Sequence, residues 1–390
     1  FFTVYAASCF VTCGKLFSGL FGYDYHIMMI VGAIFVIIYT FLGGFLAESA
    51  SDFMQAVVMI VALVSVVGIG TANAGGFGAV IENAKAIPGY FTLTGMAQPL
   101  VDAETGVQLI ENGKPLFGDA LPYGLLTILS TASWGLGYFG MPHILLHFMA
   151  IGSESKLNFS RRIASIWVVI SLGAAVIIGI VGFGMVKAGA IAMPGSEAEA
   201  ENLIVNSAAL ISTHGALAAI VAGIIIAGIL AATMSTADAQ LLAAASGVTH
   251  NILTDVFGVK MSDKKTMLIA RITVVGVAVL GVIFASDPNS SIFRVVSFAW
   301  AGFGATFGPI MLFSQFWKRC NKWGAIAGMF SGAAMVFVWK YCVAPLGGML
   351  GIYELLPAFV ISCVFIVVVS LLTAEPEKEI QEEFERACAK

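Results

Sequence analysis

Charge is scarce in this chain. Asp, Glu, Lys and Arg make up only 11% of its 390 residues, and 23 acidic against 19 basic side chains leave a net charge of −4. That balance excludes the basic footprint of a nucleic-acid binder. The six cysteines (Cys9, Cys13, Cys320, Cys342, Cys363, Cys388) form no CxxC and no paired framework. Most fall in apolar runs and read as small apolar residues rather than as disulfides or metal ligands. No nucleophile stands beside a base, and there is no phosphate loop or redox motif, so nothing points to enzymatic chemistry. No period of 20 to 50 residues is visible. An initiator Met and a charged leader are missing too. The chain opens inside an apolar run at Phe1-Phe2-Thr3-Val4-Tyr5, and it is expected to lack the N-terminal part of a longer protein.

What the chain has in excess is oil. Hydrophobic residues make up 59% of it, with a mean hydropathy of +0.95, and apolar runs of about 20 residues recur along nearly its whole length. This is the pattern of an all-α, multi-pass membrane protein, because only helices satisfying their own backbone cross lipid in this way. Ten spans are expected, near 1–20, 26–47, 53–73, 121–150, 162–186, 203–250, 267–285, 292–317, 323–343 and 352–373. The 203–250 stretch is too long for one crossing, so its ends are expected to lie outside the hydrocarbon.

Short-loop charge sets the orientation. Lys156, Arg161 and Arg162 follow the fourth span, Lys260, Lys264 and Lys265 the sixth, and Lys318, Arg319 and Lys322 the eighth, whereas the connections 193–201 and 287–291 hold no Lys or Arg. The ends of the even-numbered spans therefore face the cytoplasm. This divides the chain into a membrane domain, 1–374, with an outer loop at 74–120, and a charged cytoplasmic tail, 375–390. In the outer loop Asn112-Gly113 is a hairpin-type turn signal and 77–87 a short surface helix. The loop reads equally as a solvated cap or as a gate.

Two segments put polar chemistry into this oil. In Ile229-Leu230-Ala231-Ala232-Thr233-Met234-Ser235-Thr236-Ala237-Asp238 a long apolar helix carries adjacent hydroxyls and a carboxylate. Hydroxyls beside a loosened backbone supply the oxygens an alkali cation needs, and the bland alternative is that Ser235 and Thr236 bond back to the carbonyl one turn earlier. Asp238 is expected near the cytoplasmic end of that span, where a carboxylate is solvated. In the fourth span, Gly135, Gly137, Gly140 and Pro142 weaken eight consecutive positions, so a broken helix is expected. Broken membrane helices line cavities, and Trp134 and Tyr138, four apart, share a face that clamps an apolar ring. Packing through small residues is the competing reading. Glu48 and Asp52 read as a solvated helix start. His143 and His147 have the spacing of a zinc pair but no third ligand, and are not read as a metal site.

These segments carry a resemblance over nearly all 390 residues. Ser133-Trp134-Gly135-Leu136-Gly137-Tyr138-Phe139-Gly140 with Pro142-His143, Ile229 to Asp238 with Gln240-Leu241-Leu242, Ser297-Phe298-Ala299-Trp300-Ala301-Gly302-Phe303-Gly304, and Gly43-Gly44-Phe45-Leu46-Ala47 with Asp52 and Gln55 are similar to motifs of the sodium/solute symporters. The resemblance implies the inverted five-helix-repeat bundle of the leucine-transporter type, with its first helices absent from this chain. It implies co-transported Na+ held by the Ser235 and Thr236 hydroxyls and the Ala232 carbonyl, Asp52 on the sodium pathway, and a solute site lined by Trp134, Tyr138 and Pro142. The solute implied is a small amino acid, L-proline as in the proline-carrying members, imported across the plasma (inner) membrane. Two positions depart from those members: Met141 stands where they have Gln, and His147 where they have Arg. Three alternatives stay open: a sodium symporter of a sugar, vitamin or other amino acid, a transporter-like solute sensor, and a channel. The short tail speaks against the sensor, and the lack of a filter-like loop or charged ring against the channel.

Overall fold

A computed structural model of the chain describes residues 1–42, 45–102, 108–111 and 114–388. Helices dominate it. In chain order they are α1 (Phe2–Phe21), α2 (Tyr25–Leu42), α3 (Phe45–Asn73), α4 (Phe77–Lys85), α5 (Leu125–Ala132), α6 (Trp134–Gly137), α7 (Pro142–Met149), α8 (Leu157–Lys187), α9 (Glu197–Ala200), α10 (Leu203–Ser212), α11 (Ala216–Ser246), α12 (Asp263–Phe284), α13 (Ile292–Phe316), α14 (Lys322–Val338), α15 (Leu355–Leu372) and α16 (Lys378–Cys388). Among the described residues, eight helices are long and apolar enough to cross a membrane. The other two expected spans are the shorter α2 and the interrupted series α5 to α7. Lipid is the solvent their faces require: Val169 and Val176 of α8 are 72% and 67% exposed, which water would not tolerate across a whole helix face.

Two boundaries differ from expectation. The 203–250 stretch is two helices, α10 and α11, because the chain turns at Gly215 with φ +105°, a conformation that side chains with a Cβ avoid. The third span begins at Phe45 rather than near residue 53, so Glu48 lies in the first turn of α3 and Asp52 one turn further in.

The chain divides into two compact units. The larger comprises Phe2–Tyr123 and Ser153–Val295. One of its cores joins α1, α2, α11 and α12 through Ala7, Phe10, Met29, Ala33, Leu241 and Ala278, and another joins α3, α8, α10 and α11 through Val66, Ile178, Ile211 and Ile225. Small residues bring the backbones together, as expected without a hydrophobic drive between helices in lipid. A Cβ on Gly228 of α11 would lie 2.4 Å from the Ala62 Cβ of α3.

At one end of this unit, connections expected on the outer side meet. Lys15 Nζ lies 2.9 Å from Glu201 Oε2 and donates to the Ser290 carbonyl at 2.8 Å. Glu201 in turn accepts from Ser291 Oγ at 2.8 Å and from the backbone N–H groups of Ile292 and Phe293 at 3.0 and 3.1 Å. Burial alone raises this carboxyl, but the bonds from Lys15, Ile292, Phe293 and Ser291 outweigh it and hold Glu201 below the usual carboxylate range. The 74–120 loop contains α4, as expected, and three of the four strands of two short antiparallel pairs, the fourth following directly after it. β1 (Gly95–Met96) pairs with β4 (Leu121–Pro122), and β2 (Ile110–Glu111) pairs with β3 (Lys114–Pro115). Asn112 and Gly113 lie outside the described residues, as do Gly43 and Gly44.

The smaller unit comprises Phe1, Gly124–Gly152 and Val296–Lys390. Asn321 caps α14, its side chain accepting from the Gly324 N–H at 2.9 Å. The Arg319 guanidinium donates to the Thr373 carbonyl at 2.8 Å, and Lys318 pairs with Glu385 of α16 at 2.5 Å. These ties fasten the C-terminal segment beside the basic connection that follows α13. All six cysteines are free, Cys9 and Cys13 buried as expected of apolar fillers, Cys342 and Cys388 exposed.

Candidate functional site

In the larger unit, α11 runs unbroken through 229–238. Alanine is the best helix former, and this alanine-rich stretch keeps its backbone ladder. The loosening expected here lies further on, in the π-helical turns Gly247–Val256. The hydroxyls nevertheless gather. Ser235 Oγ and Thr236 Oγ1 both donate to the Ala232 carbonyl, at 3.2 and 3.1 Å, while Thr233 bonds one turn back to Ile229 at 2.9 Å. This is the back-bonded arrangement of a hydroxyl in a helix. It also brings three oxygens into one patch, and each hydroxyl oxygen keeps lone pairs able to accept or ligate. Ser235 and Thr236 are half-buried and Ala232 is exposed.

Asp238 departs from its expected solvated position. Its side chain is 1% exposed, Oδ1 accepts from the Ala239 N–H at 2.8 Å, and Oδ2 is buried with no hydrogen-bond donor among the described residues. The reason is rotational. One turn of α11 carries Ala237 and Leu241 into the core with α1 and α2, and Asp238 follows them inward. Asp52 and Glu48 of α3 lie close enough to interact with it, so three carboxyl groups of this unit gather along one stretch of α3 and α11.

In the smaller unit the fourth span is interrupted as expected. Ser133 separates α5 from α6, Tyr138–Gly140 tightens to a 3-10 turn, and Met141 is extended at φ −79°, ψ 109°. Pro142 imposes that conformation on the residue before it and opens α7 at its first position. The glycines serve the competing reading. A Cβ on Gly137 would lie 1.9 Å from Trp300 Nε1, and one on Gly140 would lie 2.4 Å from the Phe303 carbonyl oxygen. Break and close packing therefore coexist: the break falls at Ser133 and Met141, and the glycines seat α6 and the 3-10 turn against α13.

An aromatic stack results. The Trp134 ring lies 5.2 Å from that of Trp300 at 15°, and 5.9 Å from that of Tyr353 at 20°. Tyr138 meets Trp300 edge-on at 4.8 Å and remains 43% exposed, while Trp300 Nε1 donates to the Trp134 carbonyl at 2.9 Å. Trp134 and Tyr138 thus both pack on the Trp300 ring. Pro142 is half-buried and Met141 fully buried. The His147 Nδ1 lies 2.7 Å from the His143 carbonyl, turned back onto its own helix. Tyr353 stands at the start of the last expected apolar span, and no local pattern in the sequence connects it with Trp134.

A family description, the sodium:solute symporter family, matches residues 1–332. The chain belongs to that family. It is 38% identical to the sodium/proline symporter of Haemophilus influenzae over 99% of this chain and 72% of that protein. It is 35% identical to the osmoregulated proline transporter OpuE of Bacillus subtilis over 97% of this chain and 70% of that one, and 36% identical to a sodium/proline symporter of Staphylococcus aureus over 99% and 70%. Its fold is that of a Na+-coupled sialic acid symporter captured substrate-bound and outward-open, with a TM-score of 0.70 at 15% identity, over 97% of this chain and 73% of that one. The chain is accordingly an all-α, multi-pass membrane protein with the inverted five-helix-repeat fold of the leucine-transporter type, and sodium is the ion its family co-transports.

Proposed function

We propose that this chain performs sodium-coupled secondary active import of a small amino acid, L-proline. The observation that carries the solute is the identity of 35 to 38% to proline transporters over nearly its whole length. In this reading Ala232, Ser235 and Thr236 hold the ion, Asp52 lies on its pathway, and Trp134, Tyr138 and Pro142 line the solute site. Residues 1–374 are the membrane domain, 74–120 lies outside, and 375–390 is a cytoplasmic tail on a plasma-membrane carrier. The ties from Lys318 and Arg319 to Glu385 and Thr373 support a common side for the tail and a basic connection.

Sodium binds first, raises affinity for the solute, and is itself held more tightly by it, since the coupling is reciprocal. One charge moving through about 100 mV contributes about 2.3 kcal/mol, and a tenfold sodium gradient about 1.4 kcal/mol more. Together these sustain roughly 500-fold accumulation of a zwitterion, so one Na+ per solute suffices. The test is uptake by the full-length protein in proteoliposomes against a panel of radiolabelled solutes. Proline uptake that requires a sodium gradient is expected; uptake of proline indifferent to sodium would sink the proposal. Met141, fully buried where the resemblance to proline carriers implies Gln, is the observation favouring a different small solute, and the same panel decides between the two.

A further inference from the structure

The connection from α14 to α15 is tied down at both ends. It leaves α14 through the π-helical turn Trp339–Val343, where Lys340 Nζ lies 4.2 Å from the centre of the Phe298 ring on α13 and 3.5 Å from Glu354 Oε1. It returns through Tyr353, which makes three contacts of different kinds. The backbone N–H donates to Ser130 Oγ of α5 at 2.8 Å, the phenol O–H donates to the Ser297 carbonyl of α13 at 2.7 Å, and the ring stacks on Trp134. All these residues belong to the smaller unit.

The register of these contacts matters. Ser130 precedes Trp134 by one helical turn, and Ser297 precedes Trp300 by nearly one. Tyr353 therefore bridges the same two polypeptide stretches that Trp134 and Trp300 join, one turn away from their contact. It also supplies a stacking face for Trp134 beside the one Trp300 supplies. A ring held by one stack alone slides and tilts. A second ring, fixed by a directional hydrogen bond to each neighbouring helix, restricts the indole to the fraction of an ångström that a solute site requires.

We infer that Tyr353 is a positioning residue of the solute site: it sets the placement of the Trp134 indole, and the α14–α15 connection is the strap that holds it there. The inference rests on the reading of Trp134 and Tyr138 as solute-binding residues, so its test has two arms, both on the full-length protein. In proteoliposomes, Tyr353→Ala is expected to raise the proline KM about tenfold, the upper end of what one aromatic stack contributes, with Vmax reduced less than about threefold and sodium dependence retained. Tyr353→Phe keeps the ring and loses the bond to Ser297, and is expected to raise KM only about two- to threefold. The second arm needs no solute. In protein labelled with 5-fluorotryptophan, the resonance assigned by Trp134→Phe is expected to shift and broaden in Tyr353→Ala. An unmoved Trp134 resonance overturns the inference, and so does a Tyr353→Ala protein that loses uptake through Vmax with KM within about twofold of wild type. If the wild-type protein moves no proline, the solute reading fails alone, and the fluorine arm still judges Tyr353.

Discussion

On the proposed reading, ion coupling turns on Ser235 and Thr236. Both hydroxyls already point at the Ala232 carbonyl, so replacing either with Ala removes one oxygen from a preformed patch and leaves the helix intact. Ser235→Ala or Thr236→Ala in the full-length protein is expected to raise the half-saturating sodium concentration about tenfold, equivalent to about 1.4 kcal/mol, with a smaller change in maximal uptake. Sodium dependence indistinguishable from wild type would withdraw the assignment. Residue types alone left two readings of this segment standing, ion ligands and back-bonded hydroxyls. The geometry shows the second, and it leaves the first chemically available because a donated proton does not consume the oxygen's lone pairs. Asp238 was legible as a carboxylate in an apolar helix, but its burial was not. The rotation of α11 that turns it inward follows from the packing of Ala237 and Leu241 against other helices.

Among the elements, the interrupted series α5 to α7 shows how far local pattern reaches. Pro142 and the extended Met141 follow from chain chemistry that acts between neighbours, and the break was readable. The work of each glycine was not, since it depends on what stands opposite. Gly135 and Gly137 are two positions apart, yet a Cβ on Gly135 meets nothing within 4 Å, while one on Gly137 runs into the Trp300 indole. Gly137→Ala is therefore expected to lower stability by about 1–3 kcal/mol, as overpacking does. Gly135→Ala is expected to be neutral or to stabilise by up to about 1 kcal/mol through helix propensity. Thermal unfolding of the two variants in the same detergent checks the contrast; equal effects would mean that the glycines act through the backbone alone. The 203–250 run is a related case. Hydropathy marked it as too long for one span, but the split at Gly215 needed a backbone angle that composition does not encode.

For the whole molecule, the junction of Lys15, Glu201 and the start of α13 links connections far apart in the chain. Glu201 has its carboxyl held below the unfolded value, so it contributes stability that is fully present above the ordinary glutamate pKa of about 4.3 and is lost as pH falls through the lower folded value. Glu201→Gln is expected to destabilise the protein by about 1–2 kcal/mol at pH 7, on the scale of charge-assisted hydrogen bonds. The difference from wild type should shrink on acidification below the ordinary glutamate range. Unfolding midpoints at several pH values test this, and a gap that stays constant with pH would rule out the titration as its cause.

Membrane residence, the helical class, the approximate places of the crossings and the kind of chemistry at residues 229–238 and 133–143 all follow from the order of amino acids. Each rests on solvation or on forces between near neighbours along the chain. The meeting of Trp134 with Trp300, 166 positions away, the bridging role of Tyr353 and the burial of Asp238 rest on packing between segments distant in sequence. Periodicity records which side of a helix avoids water or faces lipid, but in an all-apolar bundle nearly every side does. The choice of partner then falls to shape, close approach and the few polar groups that must find a donor, and those exist only once the helices have come together.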